Sequence, residues 1–128
     1  MKLYKSGEDY LKAILVLTNR NGYTRSLDIA KYLNVTKPSV SRAVRLLKEG
    51  QFISMDGSKR ICLTELGREI AEKVYERHCI LTYELIALGV DSETAEQDAC
   101  KIEHDISAVT FEKLKAHWKN LCPESERG

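Results

Sequence analysis

Cys100, Glu103 and His104 stand at spacings that would set them side by side if their stretch is helical. At about 100° per residue, positions three and four apart share one face of a helix. Glu96 lies one turn earlier on the same side. Sulfur, carboxylate oxygen and imidazole nitrogen on one patch form the donor mixture that a divalent transition metal accepts. The three reach one ion without bending the backbone. The same spacing also fits a small buried cysteine beside a solvated Glu–His pair. Three donors on one helix leave a coordination sphere incomplete, so the remaining ligands have to come from elsewhere in the chain.

The elements that must position these donors follow from periodicity. Ala95, Ala99, Ile102 and Ile106 recur at steps of three and four, which predicts a helix through residues 98–104. Asp91 or Ser92 caps it, after a break at residues 89–91. Upstream, Thr64 is predicted to cap a long helix reaching about Leu88, with Leu66, Ile70, Val74, Leu81 and Leu85 on its buried side. His78 falls within that stripe, where a histidine on its own reads as a core residue with satisfied hydrogen bonds. A last helix, from about Ser107 to Leu121, carries Val109, Phe111, Leu114 and Trp118, and residues 123–128 are expected to fray. So much helical apolar surface on so short a chain predicts a dimer interface.

The charge balance separates the two halves. The net charge is +1, but residues 1–63 carry 12 Lys and Arg against 5 Asp and Glu, whereas residues 64–128 carry 8 against 14. The first half is built to meet a polyanion and the second a cation. No apolar run approaches the roughly 20 residues that span a bilayer, and residues 1–9 hold no signal-peptide core. These features predict a cytoplasmic protein with no membrane partner. The four cysteines (Cys62, Cys79, Cys100, Cys122) form no Cys-x-x-Cys pair and are expected to be free thiols.

In the basic half, Ser6 is predicted to cap a first helix, with Asp9 in capping-box position, Leu11, Ile14, Leu15 and Leu17 as its stripe, and Asn21-Gly22 as its end. A short helix from Ser26 to about Leu33 buries Leu27, Ile29, Ala30 and Leu33. After the turn at residues 34–36, Thr36 caps a helix with Pro38 in its first turn, which buries Val40, Ala43, Val44 and Leu47 and stops at Gly50. Two short helices joined by a tight turn describe a helix-turn-helix. Ser39, Ser41, Arg42, Arg45 and Lys48 lie off the buried stripe, and such donors meet phosphates and base edges. Arg25, Ser26, Thr36, Lys37 and Pro38 complete the candidate DNA face. Residues 52–55 and 60–63 read as a hairpin with Lys59 and Arg60 at its tip, a wing beside the recognition helix. The fold class is therefore mainly α: a winged helix-turn-helix over residues 1–63, then a helical dimerisation and metal-binding domain over residues 64–128.

Residues 8–14 (EDYLKAI), the helix-turn-helix with residues 36–40 (TKPSV), residues 63–67 (LTELG) and residues 99–107 (ACKIEHDIS) follow in an order that closely resembles the diphtheria-toxin-repressor family of metal-dependent transcriptional repressors. The likeness covers nearly the whole chain and is closest in architecture to the family's short, manganese-transport-regulator branch. It implies a homodimer that binds a palindromic DNA operator when Fe(II) or Mn(II) is bound and so controls metal-homeostasis genes. It also implies the missing ligands: Asp9 from the first helix and His78 from the long helix, with Glu103 and His104 common to the family. Cys100 matches the iron branch, and Glu96 falls at an ancillary position. Two departures stand out. Lys12 replaces a second first-helix carboxylate, and Thr82 replaces an acidic residue one turn after His78. Both imply one well-formed site, with a thiolate that tilts the preference toward Fe(II). Two other readings remain at this stage: a winged-helix redox sensor acting through Cys100, and a metal carrier that binds no DNA. An enzyme is disfavoured, since neither a nucleophile nor a phosphate-binding loop stands out, and no small-molecule substrate is expected.

Overall fold

The computed structural model describes residues 5–121, with side chains over residues 6–119; Cys122 and the tail at 123–128 lie outside the described residues. The chain divides into two compact units, residues 1–73 and residues 74–128.

In the first unit, α1 (Lys5–Asn21) is the central element. Tyr10, Leu11, Ala13, Ile14, Leu15 and Leu17 are all buried, so α1 is covered on more than the single stripe its periodicity predicted. Ser6 lies inside this helix and is not its cap. Serine in a helix costs only about half a kcal/mol relative to alanine, which is small against the burial of α1. Gly22 ends the helix at φ +86°, and its N–H reaches the Thr18 carbonyl at 2.8 Å.

Helices α2 (Ser26–Leu33) and α3 (Lys37–Glu49) form the helix-turn-helix. Asn34 takes the left-handed conformation (φ 55°, ψ 52°), which an asparagine tolerates better than most residues. Thr36 caps α3 by accepting the Ser39 N–H at 3.3 Å. Ile29, Ala30, Val40, Val44 and Leu47 fill the space between the helices and α1. Leu27 is 49% exposed, against the expectation. It lies more than 100° around the helix from the centre of the Ile29–Ala30–Leu33 face. Helix α3 stops before Gly50, but the left-handed residue that follows is Gln51 (φ 64°).

Strands β1 (Ile53–Met55) and β2 (Ile61–Leu63) pair antiparallel, with Ser54 opposite Cys62. The Ile61 N–H also donates to the Thr24 carbonyl at 2.7 Å, which fastens the hairpin beside the end of α1. At the turn, Asp56 Oδ1 accepts the N–H groups of Ser58 (2.8 Å) and Arg60 (2.9 Å). These bonds, the Arg60 N–H first, hold the Asp56 carboxyl below its ordinary range. The turn is thus fully supported at neutral pH and loses that support only as pH falls through the lowered value.

Helix α4 (Glu65–Ala87) starts where Thr64 takes the Gly67 N–H on Oγ1 (3.1 Å), while its own N–H donates to the Phe52 carbonyl (3.1 Å). Gly67 and Ala71 are buried on the same side as Val74, which leaves Leu66 47% exposed off that face. A Cβ built at Gly67 would overlap the Phe52 carbonyl oxygen. Gly67→Ala gains about 1 kcal/mol of helix propensity and loses more to overpacking, which runs to about 3 kcal/mol or beyond. Chemical denaturation is expected to show a net loss of about 2 kcal/mol, and an unchanged midpoint would contradict this seat for α4.

In the second unit, the C-terminal part of α4 is joined by α5 (Ser92–Ile102) and α6 (Ala108–Leu121). Asp91 caps α5 through the Thr94 N–H at 3.0 Å. Ala95, Ala99, Ile80, Leu81 and Phe111 are buried. Helix α6 is tied to α4 by Lys115 Nζ to Glu76 Oε1 (2.8 Å) and by His117 Nδ1 to Glu84 Oε1 (3.3 Å). Ile102 (37%) and Val109 (72%) are exposed, although both were expected on buried stripes. Helix α5 also ends sooner than its periodicity predicted: Glu103 is its C-cap and His104 lies in the following turn. The N–H groups of Asp105 and Ile106 both fold onto the Ile102 carbonyl at 3.0 Å, because the chain must reverse before Ser107 caps α6.

Candidate metal centre and nucleic-acid interface

The second unit brings three donors of different chemistry together. His78 comes from α4, Cys100 from the last full turn of α5 and Glu103 from its C-cap. One ligand atom from each lies within 4.8 Å of the other two. His78 Nδ1 stands 2.9 Å from Glu103 Oε2 and 3.7 Å from Cys100 Sγ. The Glu103 side chain is fully buried, and its other oxygen faces His104 Nε2 at 3.3 Å. The His104 side chain is itself only 2% exposed.

A carboxylate removed from water is costly unless it is compensated. Here an imidazole nitrogen faces each oxygen and contributes part of that compensation. A metal supplies it more strongly. Ligands sharing one ion at bonds of about 2.0–2.3 Å sit roughly 3–4 Å apart, and the 2.9 and 3.7 Å separations from His78 lie close to that range. The residues present therefore fit a transition metal that takes nitrogen, oxygen and sulfur donors.

The other sequence candidates fall as follows. Asp9 is half-buried on α1, in the first unit. Glu96 is exposed on α5, outside the three-donor group. Thr82 spends its hydroxyl on the His78 carbonyl one turn back, at 2.7 Å. Lys12 is buried, at 6% exposure.

The candidate DNA face lies entirely on the first unit. Arg25, Thr36, Lys37, Pro38, Ser39, Ser41, Arg42, Arg45, Lys59 and Arg60 are all exposed, and Ser26 is half-buried. Ser26, Ser41, Arg45 and Lys48 line one groove with Val44 and Met55, which joins the head of α2 to the exposed side of α3. Arg45 reaches Glu49 at 3.4 Å, but both side chains are about 60% exposed, so the pair yields readily to a phosphate.

Two residues, Tyr23 and Arg77, had escaped sequence reasoning. The guanidinium groups of Arg25 and Arg60 both lie over the Tyr23 ring, at 5.1 and 5.0 Å from its centroid, so Arg60 packs back from the wing tip. Asp56 orders the wing turn. Arg77 reaches the carbonyls of Glu103 and Ile106. The hairpin reading already placed a turn at residues 56–59, but no local pattern links Tyr23 to Arg60, or Arg77 to carbonyls 26 and 29 residues away.

Comparison with known proteins assigns both units. Residues 2–59 match the family model of the iron dependent repressor N-terminal DNA binding domain, and residues 64–125 match that of the iron dependent repressor metal binding and dimerisation domain. The chain belongs to the iron-dependent repressor family. It is 34% identical over 113 residues to an HTH-type transcriptional regulator of Methanocaldococcus jannaschii, covering 87% of this chain and 90% of that one. It is also 34% identical over 109 residues to the HTH-type transcriptional regulator MntR of Geobacillus kaustophilus, covering 85% and 77%. The fold superposes on the manganese regulator SloR with a TM-score of 0.77, at 28% identity over 92% of this chain. The likeness to T. acidophilum IdeR (TM-score 0.76, 24% identity) bears on the fold alone. The chain spans 54% and 55% of those two solved chains, about half their length. The iron-dependent repressor family agrees with the resemblance read from the motifs and with the order of a winged helix-turn-helix followed by a helical domain.

Proposed function

We propose that this chain is a homodimeric transcriptional repressor that binds a palindromic DNA operator when loaded with Fe(II) or Mn(II), and so controls metal-homeostasis genes. The observation that carries the reading is the fully buried Glu103 carboxylate, set among His78, His104 and the Cys100 thiol. Asp9 joins this set as a ligand on the strength of the sequence match, with Glu96 as an ancillary candidate. The bound ion would supply a positive charge that cancels the repulsion among carboxylates and thiolate.

The protein's own residues do the rest. His78, Cys100, Glu103, His104 and Asp9 would hold the ion, and Asp9, as a ligand on α1, would make metal occupancy bear on the order of the DNA-binding half. Arg42, Arg45 and the hydroxyls of Ser39 and Ser41 address the major groove, while Lys59 and Arg60 serve the wing. Thr36, Lys37, Pro38, Arg25 and Ser26 meet the flanking backbone at the heads of the two short helices. The division of labour falls at residues 63 and 64. Exposed Tyr83, Leu88 and Val109 in the second unit are apolar surface available to a twin subunit. A dimer presents two recognition helices, so the half-sites should lie one helical turn of DNA apart or a multiple of it. Among the described residues, no helix is long and apolar enough to cross a membrane.

The test is metal analysis of protein purified without oxygen, followed by DNA binding across Fe(II), Mn(II), Co(II) and Zn(II) under full reduction. Metal-stimulated binding with Fe(II) ahead of Mn(II) is the expected result. Binding that responds to oxidants and to no metal would favour a thiol sensor instead, and failure to bind any DNA would leave a metal carrier.

A further inference from the structure

Glu103 is the C-cap of α5, with its N–H still bonded to the Ala99 carbonyl at 2.9 Å, and His104 lies in the turn beyond it. The Asp105 and Ile106 N–H groups hold the turn at residues 103–106 from within, on the Ile102 carbonyl, and a further tie fastens it from outside. That tie is Arg77, on the neighbouring helix: its Nη1 donates to the Glu103 carbonyl at 3.3 Å and to the Ile106 carbonyl at 3.2 Å. The two carbonyls are the ends of the turn, and one nitrogen pins both. The guanidinium is in turn laid over the ring of Phe111, 5.4 Å from its centroid, and Phe111 is buried at the start of α6. Arg77 also immediately precedes His78, so one turn of α4 carries both the imidazole and the pin.

We propose that Arg77 is a positioning residue for the metal centre, setting the ligand-bearing turn of Glu103 and His104 in register with His78 on α4. This rests on the metal-centre reading above. The chemistry favours positioning over plain stabilisation. Arg77 Nε is buried with no hydrogen-bond partner among the described residues, and a buried donor left unsatisfied is a cost that an apolar residue of similar volume avoids. The guanidinium also spends its donors on carbonyl dipoles. Both Glu103 carboxylate oxygens are thereby left to face His78 and His104.

The experiment compares the unsubstituted chain with Arg77→Met and Arg77→Gln, all purified without oxygen. Co(II) is titrated in and followed by visible absorption, including the thiolate-to-metal band, and the metal-free proteins are melted in parallel. Partners that orient metal ligands are typically worth 10–100-fold in affinity. Arg77→Met is expected to weaken Co(II) binding at least about tenfold and to alter the band, with metal-free melting little changed. Wild-type affinity together with a wild-type band in Arg77→Met would overturn the proposal. Should the Met variant fail to fold, Arg77→Gln decides, because its shorter amide cannot span both carbonyls. Full affinity and an unchanged band in the Gln variant would equally overturn it. No Co(II) band in the unsubstituted chain would remove the metal centre itself and the proposal with it, whereas a band that only the Arg77 variants lose is the supporting outcome.

Discussion

Cys100→Ala is expected to abolish metal-dependent DNA binding while leaving the metal-free fold intact. The side chain lies near the end of α5, half-buried, with Sγ 3.7 Å from His78 Nδ1. Alanine is the better helix former by roughly half a kcal/mol, so loss of the thiol does not threaten the helix. What disappears is the one soft donor among nitrogen and oxygen ligands. Cys100→Glu returns a donor of the hard type and is expected to move preference from Fe(II) toward Mn(II), since carboxylate oxygen suits that ion better. Rescue should be partial, because glutamate is longer than cysteine and Glu103 already fills the buried space. Metal binding should also release protons near neutral pH in the unsubstituted chain and fewer in Cys100→Ala, as a thiol must lose its proton to coordinate. Isothermal titration in buffers of different ionisation enthalpy reads both quantities. If Cys100→Ala kept full metal affinity and full DNA binding, the thiol would be only a core residue, and the preference for iron would lose its basis.

The second large effect is that of salt. A protein contacting 6–10 phosphates loses about a thousandfold or more in DNA affinity between 50 and 200 mM salt. Two subunits that each present Arg25, Arg42, Arg45, Lys59 and Arg60 on an exposed face belong in that range. Fluorescence anisotropy across a salt series should therefore give a steep line. Arg42→Ala or Arg45→Ala should lower affinity and reduce the slope by about one for each phosphate that no longer has a cationic partner in the complex. Metal affinity should not change, because both residues belong to the first unit and the three-donor cluster to the second. A nearly flat salt dependence would show that the charge asymmetry between the two halves had been misread.

Most of the first unit was legible because its signals are local. Asn34 at the tight turn, Thr36 before Pro38 and the Asp56 turn each specify a backbone shape with their own side chains, and the structure has all three. The ends of α5 and the start of α1 were less legible. Helical spacing placed Glu103 and His104 on the helix of Cys100, but the reversal into α6 took them off it, and their convergence on His78 depends on tertiary contacts. Stripes also overstated burial: Leu27, Leu66 and Val109 fit a helical period yet lie off the faces that pack. The site was partly readable because Cys100 and Glu103 are close in sequence. His78 came only through the likeness to a known family, since a histidine in an apolar stripe carries no mark of its partners. Arg77 and Tyr23 could not be found this way, as their roles consist of contacts with groups far along the chain or on the wing.

In the proposed function, metal binding and DNA binding are coupled through one protein. The most direct test measures the affinity for DNA with and without saturating metal, and the affinity for metal with and without saturating DNA, on the same reduced protein. Thermodynamic linkage requires the two factors to be equal, and coupling of this kind typically amounts to about 5–150-fold. Metal is expected to tighten DNA binding, DNA to tighten metal binding by the same factor, and Glu103→Gln to bring both factors to unity. DNA affinity that is indifferent to metal, in protein shown to bind metal at His78, Cys100 and Glu103, would contradict the coupling.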